Sequence, residues 1–422
     1  MVAVAAGLRI AWSIYAARQP VGLHDQGLYL LHASGIADGN GYGFPNGEPT
    51  AYYPVGYPGA LAGVIWLARQ LPFSDTPYVV ASVFNIVLGT VTVLLVFELA
   101  RRLFDPTVGL VSAAVVAVWP NLVFHAATPL SETLFNALMV GSLVVLCRRP
   151  WPKRGPEPWR LLAFGVLLGF SALVRPISLL IVPLLAGVLW LATRRLATAA
   201  VGIGVVALAV VVVIAPWTLR NRSVMGQTVI ISTNGGDNLC IGHHEGATGG
   251  FVLTRFCAGT FPGLKRPEYE LRRDEDGSKE ARQFALHHPG EEVRLLFSKI
   301  HYLARHDHDG LDAVESYRED PFIGHGFRTF LEVTADLFAL VAALLGAAGI
   351  PALVSRRDPR KLALLAMLVS VAVAPLAFFG DPRFHVPVLP LLAVGTGVTV
   401  VRVARALASR RSGAPAAAPV AS

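Results

Sequence analysis

Residues 197–216 read ATAAVGIGVVALAVVVVIAP, from Ala197 to Pro216, without one charged side chain. At 1.5 Å per helical residue such a run spans the roughly 30 Å hydrocarbon core of a bilayer. Arg194 and Arg195 precede it, and Arg220 and Arg222 follow it. A helix apolar on every side belongs in lipid or deep inside a protein. The rest of the chain decides between the two.

Working outward, comparable apolar stretches fall near 1–17, 78–100, 107–125, 130–147, 159–175 and 176–193, then near 330–354, 361–379 and 384–404, which makes ten with the first. Hydrophobic residues make up 54% of the chain and charged ones 15%, against about a quarter charged in soluble domains. The expected class is an all-α polytopic membrane protein of about ten transmembrane helices, with membrane lipids as its surroundings. The net charge of +8 sits in loops between apolar runs and forms no basic face. Membrane orientation accounts for it, and no nucleic-acid partner is expected.

Ten crossings place Arg101-Arg102, Arg148 to Arg160, Arg194-Arg195, Arg356 to Lys361 and the tail from Arg402 on one side. The positive-inside bias makes that side the cytoplasm. The outer side then receives two long polar loops, 18–77 and 217–329. The apolar piece Gly59 to Leu71 is too short to span and is expected at the interface. Counting it as an eleventh crossing would invert the loops, and local sequence leaves that open. Met1 to Ala17 lacks the marks of a signal peptide and reads as a first helix. Arg9 in its middle requires either an interior-facing position or a start upstream. The expected organisation is one membrane domain, 1–404, followed by a cytoplasmic and disordered tail, 405–422.

The second long loop is expected to be mixed. Gln227 to Ser232 is strand-like, a Gly-rich stretch runs from Asn234 to Gly250, and Pro267 to His287 and Glu291 to His306 have helical periodicity. Cys240 and Cys257 share this loop, where a disulfide and two free thiols are both compatible with the spacing. His243, His244, His287, His288, His301, His306 and His308 match no metal-ligand spacing, so no metal site is expected there. P-loop, Rossmann and Gly-x-Ser-x-Gly motifs are missing from the sequence, which removes nucleotide binding and serine hydrolysis.

Two acids stand at outer helix starts. Asp25 follows the first helix and is either a base in water near the membrane or an N-cap for Leu28 to Ala37. Glu132 follows Pro129 and is either a site acid or a first-turn acid beside a capping Ser131. Arg175, Arg220, Arg222 and Arg383 lie at outer helix ends, against the charge bias. Their planar forks suit a phosphate headgroup, and pairing with Asp237, Asp381 or lipid phosphates is the plainer alternative. Tyr52, Tyr53 and Tyr57 crowd a Pro-rich stretch that would wall a sugar site or form an interfacial belt.

Asp25-Gln26-Gly27-Leu28-Tyr29, Pro49 to Pro58, Ser131-Glu132-Thr133-Leu134-Phe135, Leu173-Val174-Arg175-Pro176, Pro216 to Asn221, Asn234-Gly235-Gly236 and Arg383-Phe384 occur in that order. In this order and spacing the chain resembles the GT-C superfamily of membrane glycosyltransferases, in particular the family-39-like group related to protein O-mannosyltransferases and lipid A aminoarabinose transferases.

The resemblance implies transfer of a sugar from a polyprenyl-phosphate donor on the outer face of the plasma membrane to a lipid, glycan or protein acceptor. Asp25 would act on the acceptor and Glu132 would be the second acid. Arg175, Arg220 and Arg383 are the candidates for the donor phosphate, and Tyr29, Tyr53, Tyr57 and Asn234 for substrate contacts. Many relatives carry an acidic pair in the first loop, where this chain has Asp25-Gln26. No cofactor is therefore called, although the family allows a divalent metal. The competing class is a transporter or flippase, which favours mid-bilayer charges and inverted repeats.

Overall fold

The computed structural model describes residues 1–72, 76–254, 257, 261 and 263–411. It is helical, and the described residues contain only isolated β-bridges and no strand. The N-terminal half comprises α1 (Val2–Ala16), α2 (Asp25–Ala37), α3 (Gly56–Ala68), α4 (Pro77–Leu103), α5 (Pro106–Val118), α6 (Pro120–Phe124), α7 (Glu132–Leu146), α8 (Pro158–Val174), α9 (Ile181–Thr193) and α10 (Leu196–Met225). The long loop carries α11 (Gly235–Gly242), α12 (Arg266–His287), α13 (Pro289–Leu303) and α14 (Asp309–Val314). The chain returns through α15 (His325–Gly349), α16 (Pro359–Val373) and α17 (Leu389–Arg411).

Every one of the ten apolar stretches is helical, and this is a multi-pass membrane fold. Six helices are long and apolar enough to cross a bilayer, or seven if α5 and the segment Pro120–Ala127, bent by 60°, form one span. α1, α7 and α8 are shorter apolar helices, as is α3, so length and composition alone support fewer crossings than ten. α3 is about 20 Å long, and it leaves Trp66 and Leu67 exposed while burying Leu61 and Ile65. Of the tail expected to be disordered, residues 405–411 are the end of α17, a helix that continues past the expected boundary, and the part from Ser412 lies outside the described residues.

Lipid supplies no hydrophobic force between helices, so close backbone approach has to hold them together. Glycines provide it. A Cβ on Gly349 of α15 would stand 2.2 Å from the Gly395 carbonyl oxygen of α17, and one on Gly165 of α8 would stand 2.7 Å from the Ala209 Cβ of α10.

Arg9 turns inward. It is 1% exposed and faces the interior. Pro120 has no N–H to return to the Val116 carbonyl, and the chain bends there. The Arg9 guanidinium takes over, with Nη1 donating to the Ala5 and Ala117 carbonyls at 3.0 Å and Nη2 to Val116 at 3.3 Å.

The strand expected at Gln227 to Ser232 does not form. Its carbonyls are taken by side chains at the end of α10: Trp217 Nε1 donates to Ile231 at 2.7 Å, Thr218 Oγ1 to Ile230 at 2.8 Å, and Asn221 Nδ2 to Val229 at 3.2 Å. Among the described residues the long loop thus holds helices and no strand, rather than the expected mixture. Cys240 and Cys257 are disulfide-bonded across a Cα–Cα distance of 5.6 Å. Glu270 of α12 is buried and accepts from Thr50 Oγ1 at 2.6 Å and from the Ala51 N–H at 3.1 Å. The two long loops are therefore joined on one face of the bundle.

Candidate active site

Asp25 is the first residue of α2, whose N-cap is His24. Its carboxylate caps nothing. Oδ1 accepts from the Tyr53 hydroxyl at 2.7 Å, and Oδ2 pairs with Arg383 Nη1 at 2.5 Å. Glu132, the first residue of α7, is fully buried, and its Oε1 accepts from both Arg175 Nη2 and Arg383 Nε. Ser131 does not cap α7 either, because its hydroxyl accepts from Arg175 Nε at 3.1 Å. Asp25, Tyr53, Glu132, Arg175 and Arg383 form one connected network, drawn from the first long loop, two helix ends and the turn Pro382–Val388.

The local backbone explains how these side chains converge. Arg175 stands in extended conformation where α8 gives way to a short 3-10 turn at Pro176. Arg383 lies in the turn Pro382–Val388, which Asp381 caps by accepting the Arg383 N–H at 2.9 Å. Prolines at both places interrupt helical hydrogen bonding and aim the arginines across the bundle end. Glu132 Oε2 has no hydrogen-bond partner, and Glu132 shares a small cavity with Arg9, His125, Thr133 and Asn136.

Other expected residues fall elsewhere. Arg220 does not join the network: Nη1 donates to the Thr50 carbonyl at 2.7 Å, Nη2 donates to the Tyr42 carbonyl, and the guanidinium lies 4.7 Å from the Trp217 ring. It clamps the first loop to α10. Arg222 is exposed. Asn234 precedes α11 and accepts from Ser232 Oγ at 2.9 Å, apart from the acids. Tyr29 and Tyr57 are buried, with the Tyr29 ring 5.2 Å from Tyr53 and 5.5 Å from Tyr57. They back the site rather than offering open faces. Tyr52 reaches the long loop, donating to Asp237 Oδ2 at 2.5 Å, and Asp237 in turn pairs with Arg273.

Sequence reasoning passed over Asp309. It is buried at the start of α14, with Oδ2 3.8 Å from His125 Nε2, and neither atom has a hydrogen-bond partner. Burial, reinforced by the nearby Asp381, raises its carboxyl well above the usual range. Burial, and then the Asp25 charge, also raise the Tyr53 hydroxyl well above its ordinary value. It therefore acts as a donor. Tyr317 feels the charges of Asp309, Arg383 and Asp25, and it sits at φ 55° between Ser316 at 48° and Arg318 at 77°. Three successive non-glycine residues in the left-handed region mark strain beside a functional centre.

The residues do not fit a divalent metal at this centre. Among the described residues no three metal-ligating side chains converge here, and Gln26, next to Asp25, is buried with Oε1 accepting from Thr128 Oγ1 at 2.6 Å.

Residues 62–219, less than half of the chain, match the family described as dolichyl-phosphate-mannose-protein mannosyltransferase. Among solved structures, ArnT from Cupriavidus metallidurans bound to undecaprenyl phosphate aligns with 98% of this chain at a TM-score of 0.58 and 13% identity. The fold is that of the GT-C glycosyltransferases. The family-39-like resemblance read from the motifs is borne out by these two matches. The Archaeoglobus fulgidus oligosaccharyltransferase, in a complex with Zn and sulfate, aligns with 98% of the chain at a TM-score of 0.55 and 14% identity. The archaeal oligosaccharyltransferase AglB from Archaeoglobus fulgidus, in complex with an inhibitory peptide and a dolichol-phosphate, aligns with 100% of the chain at a TM-score of 0.52 and 14% identity. At such identities the GT-C likeness concerns the fold. The chain spans 50% of the first oligosaccharyltransferase chain, 52% of the second and 62% of ArnT. No curated protein matches it in sequence.

Proposed function

We propose that this protein is an inverting glycosyltransferase that takes a sugar from a polyprenyl-phosphate donor on the outer face of the plasma membrane and delivers it to a lipid, glycan or protein acceptor. The observation that carries the reading is the bridge of Asp25, Arg383, Glu132 and Arg175 on the face that holds both long loops. An acid that takes a proton and two cations that bind a phosphate stand within one hydrogen-bonded unit there.

The chemistry needs little more. Asp25 accepts the acceptor's hydroxyl proton, the acceptor oxygen bonds to the anomeric carbon, and the carbon–oxygen bond to phosphate breaks with its electron pair on the departing polyprenyl phosphate. A phosphate leaves as a stabilised anion, so the second acid–base step of glycosidases is unnecessary. Arg175 and Arg383 would stabilise charge on that phosphate, moving from carboxylate to phosphate oxygens as the donor enters. Glu132 then serves as the resting counter-charge that positions both arginines. Arg220 would act by holding the first loop, and Tyr53 by orienting Asp25.

Membranes containing the protein, given radiolabelled polyprenyl-phosphate sugars, test the reading. Donor consumption by the wild type and its loss in Asp25→Asn are expected. Equal transfer by the variant, or no consumption with any donor, would sink it.

A further inference from the structure

Beside the acid–arginine network, the segment His306-Asp307-His308-Asp309 gives its side chains two separate tasks. Asp307 accepts from Trp119 Nε1 at 2.6 Å and Asn121 Nδ2 at 2.8 Å and meets His385 Nε2 at 2.7 Å. Asp309 faces His125. His306 and His308 instead stack on each other, with centroids 4.1 Å apart and planes 17° from parallel. With Asp312 of α14, each offers one ligand atom, and the three atoms lie within 4.8 Å of one another.

Two further observations point to a ligand. His308 Nδ1 is hydrogen-bonded to Asp336 Oδ1 of α15 at 3.0 Å. A carboxylate behind the ring in this way fixes the tautomer that leaves the Nε2 lone pair for a metal. His306 Nδ1 is buried and has no hydrogen-bond partner, although buried polar atoms rarely go unpaired. The surrounding charge agrees. Arg328 pairs with Asp312, Glu315 and Glu332, and Asp336 adds a fourth carboxylate. Arg318 approaches Glu332 only at 3.8 Å, so negative charge remains in surplus.

We propose that His306, His308 and Asp312 bind one divalent transition-metal ion of the zinc type. Two imidazoles and one carboxylate suit zinc, with a fourth position open to water. Small ring rotations that part the histidine stack would bring the lone pairs onto one ion. The ion staples the 306–309 segment to α14 and, through Asp336, to α15. Asp307 and Asp309 are thereby held beside the acid–arginine network, and no step of sugar transfer passes through the metal.

The test uses the tag-free full chain in detergent, stripped with chelator and titrated with Co(II) or Zn(II). One equivalent per chain is expected, with a visible Co(II) band and a Tm that rises with Zn(II). His306→Gln and His308→Gln should each weaken binding at least tenfold. His287→Gln at an exposed position of α12 and His243→Gln near α11 should leave it unchanged. Wild-type protein that takes up no metal overturns the proposal whatever the variants do. Binding that survives both site variants, or that His243→Gln abolishes, also overturns it. Since the readouts are stoichiometry, absorbance and Tm, a failure of sugar transfer leaves this result unaffected.

Discussion

Arg383 reaches Asp25 across 358 positions of sequence, through Nη1 and Oδ2 at 2.5 Å, while its Nε rests on Glu132. One planar fork therefore serves both acids. Lysine offers a point charge on a flexible stem and cannot bridge two carboxylates in that way. Arg383→Lys should fold, yet lose transfer by about 100-fold or more, the scale of removing one charge-stabilising donor. Most of that loss should appear in kcat. A variant with near wild-type kcat would remove Arg383 from the chemistry.

Glu132 gives a stability counterpart. Its buried Oε1 is shared by two guanidinium groups, so Glu132→Gln leaves both cations facing a neutral amide. Breaking a buried pair by deleting one partner costs about 3–5 kcal/mol, and a large fall in Tm is expected. Adding Arg175→Gln should restore part of the loss, since neighbours in one network are not additive. Thermal unfolding of the two singles and the double closes the cycle, and strict additivity would contradict the shared hydrogen bond.

Residue type and local position made much of this legible. Apolar runs declared the helices, and acids at helix starts with arginines at helix ends declared the candidates, because both placements run against a bland expectation. The partners were not legible. Glu132 and Arg383 are 251 residues apart, and only the folded bundle decides which guanidinium meets which acid. Arg220 looked like its neighbours in kind and stands apart from them in the fold because it donates to the Thr50 and Tyr42 carbonyls and to Asn221 Oδ1, a pairing that leaves no trace in sequence. Asp309 was hidden by the histidines around it, whose spacing matched no known ligand pattern. Gln227 to Ser232 has strand propensity, and side-chain donors from α10 took the carbonyls a strand would need.

Arg9 tests how the bent helix is held. Without its guanidinium, the carbonyls of Val116 and Ala117 would lose their donors at the break before Pro120. Arg9→Met keeps the apolar stem and removes every donor. Unmet buried carbonyls cost about 1–3 kcal/mol each, so this variant should unfold at markedly lower temperature in detergent. An unchanged Tm would mean the break is satisfied in some other way.

Lys299 supplies the pH dependence. It is buried on α13, donating to the Leu376 carbonyl at 3.3 Å and to His243 Nε2 at 3.0 Å, and His243 bonds Glu292 at 2.9 Å. Burial lowers its ammonium to about 8, opposed only partly by the Glu292 charge. The sign follows from proton counting. Below pH 8 the group is charged in both folded and unfolded chains, and the cost of burying that charge is fully present. Between 8 and the ordinary value near 10.4 the unfolded chain holds the proton that the folded one has shed. Stability from this group therefore rises with pH across that window. Lys299→Met has no proton to lose, so the Tm of wild type relative to the variant should climb steadily from pH 7 to 9.5. A difference that stays flat would show that Lys299 keeps its charge inside the fold.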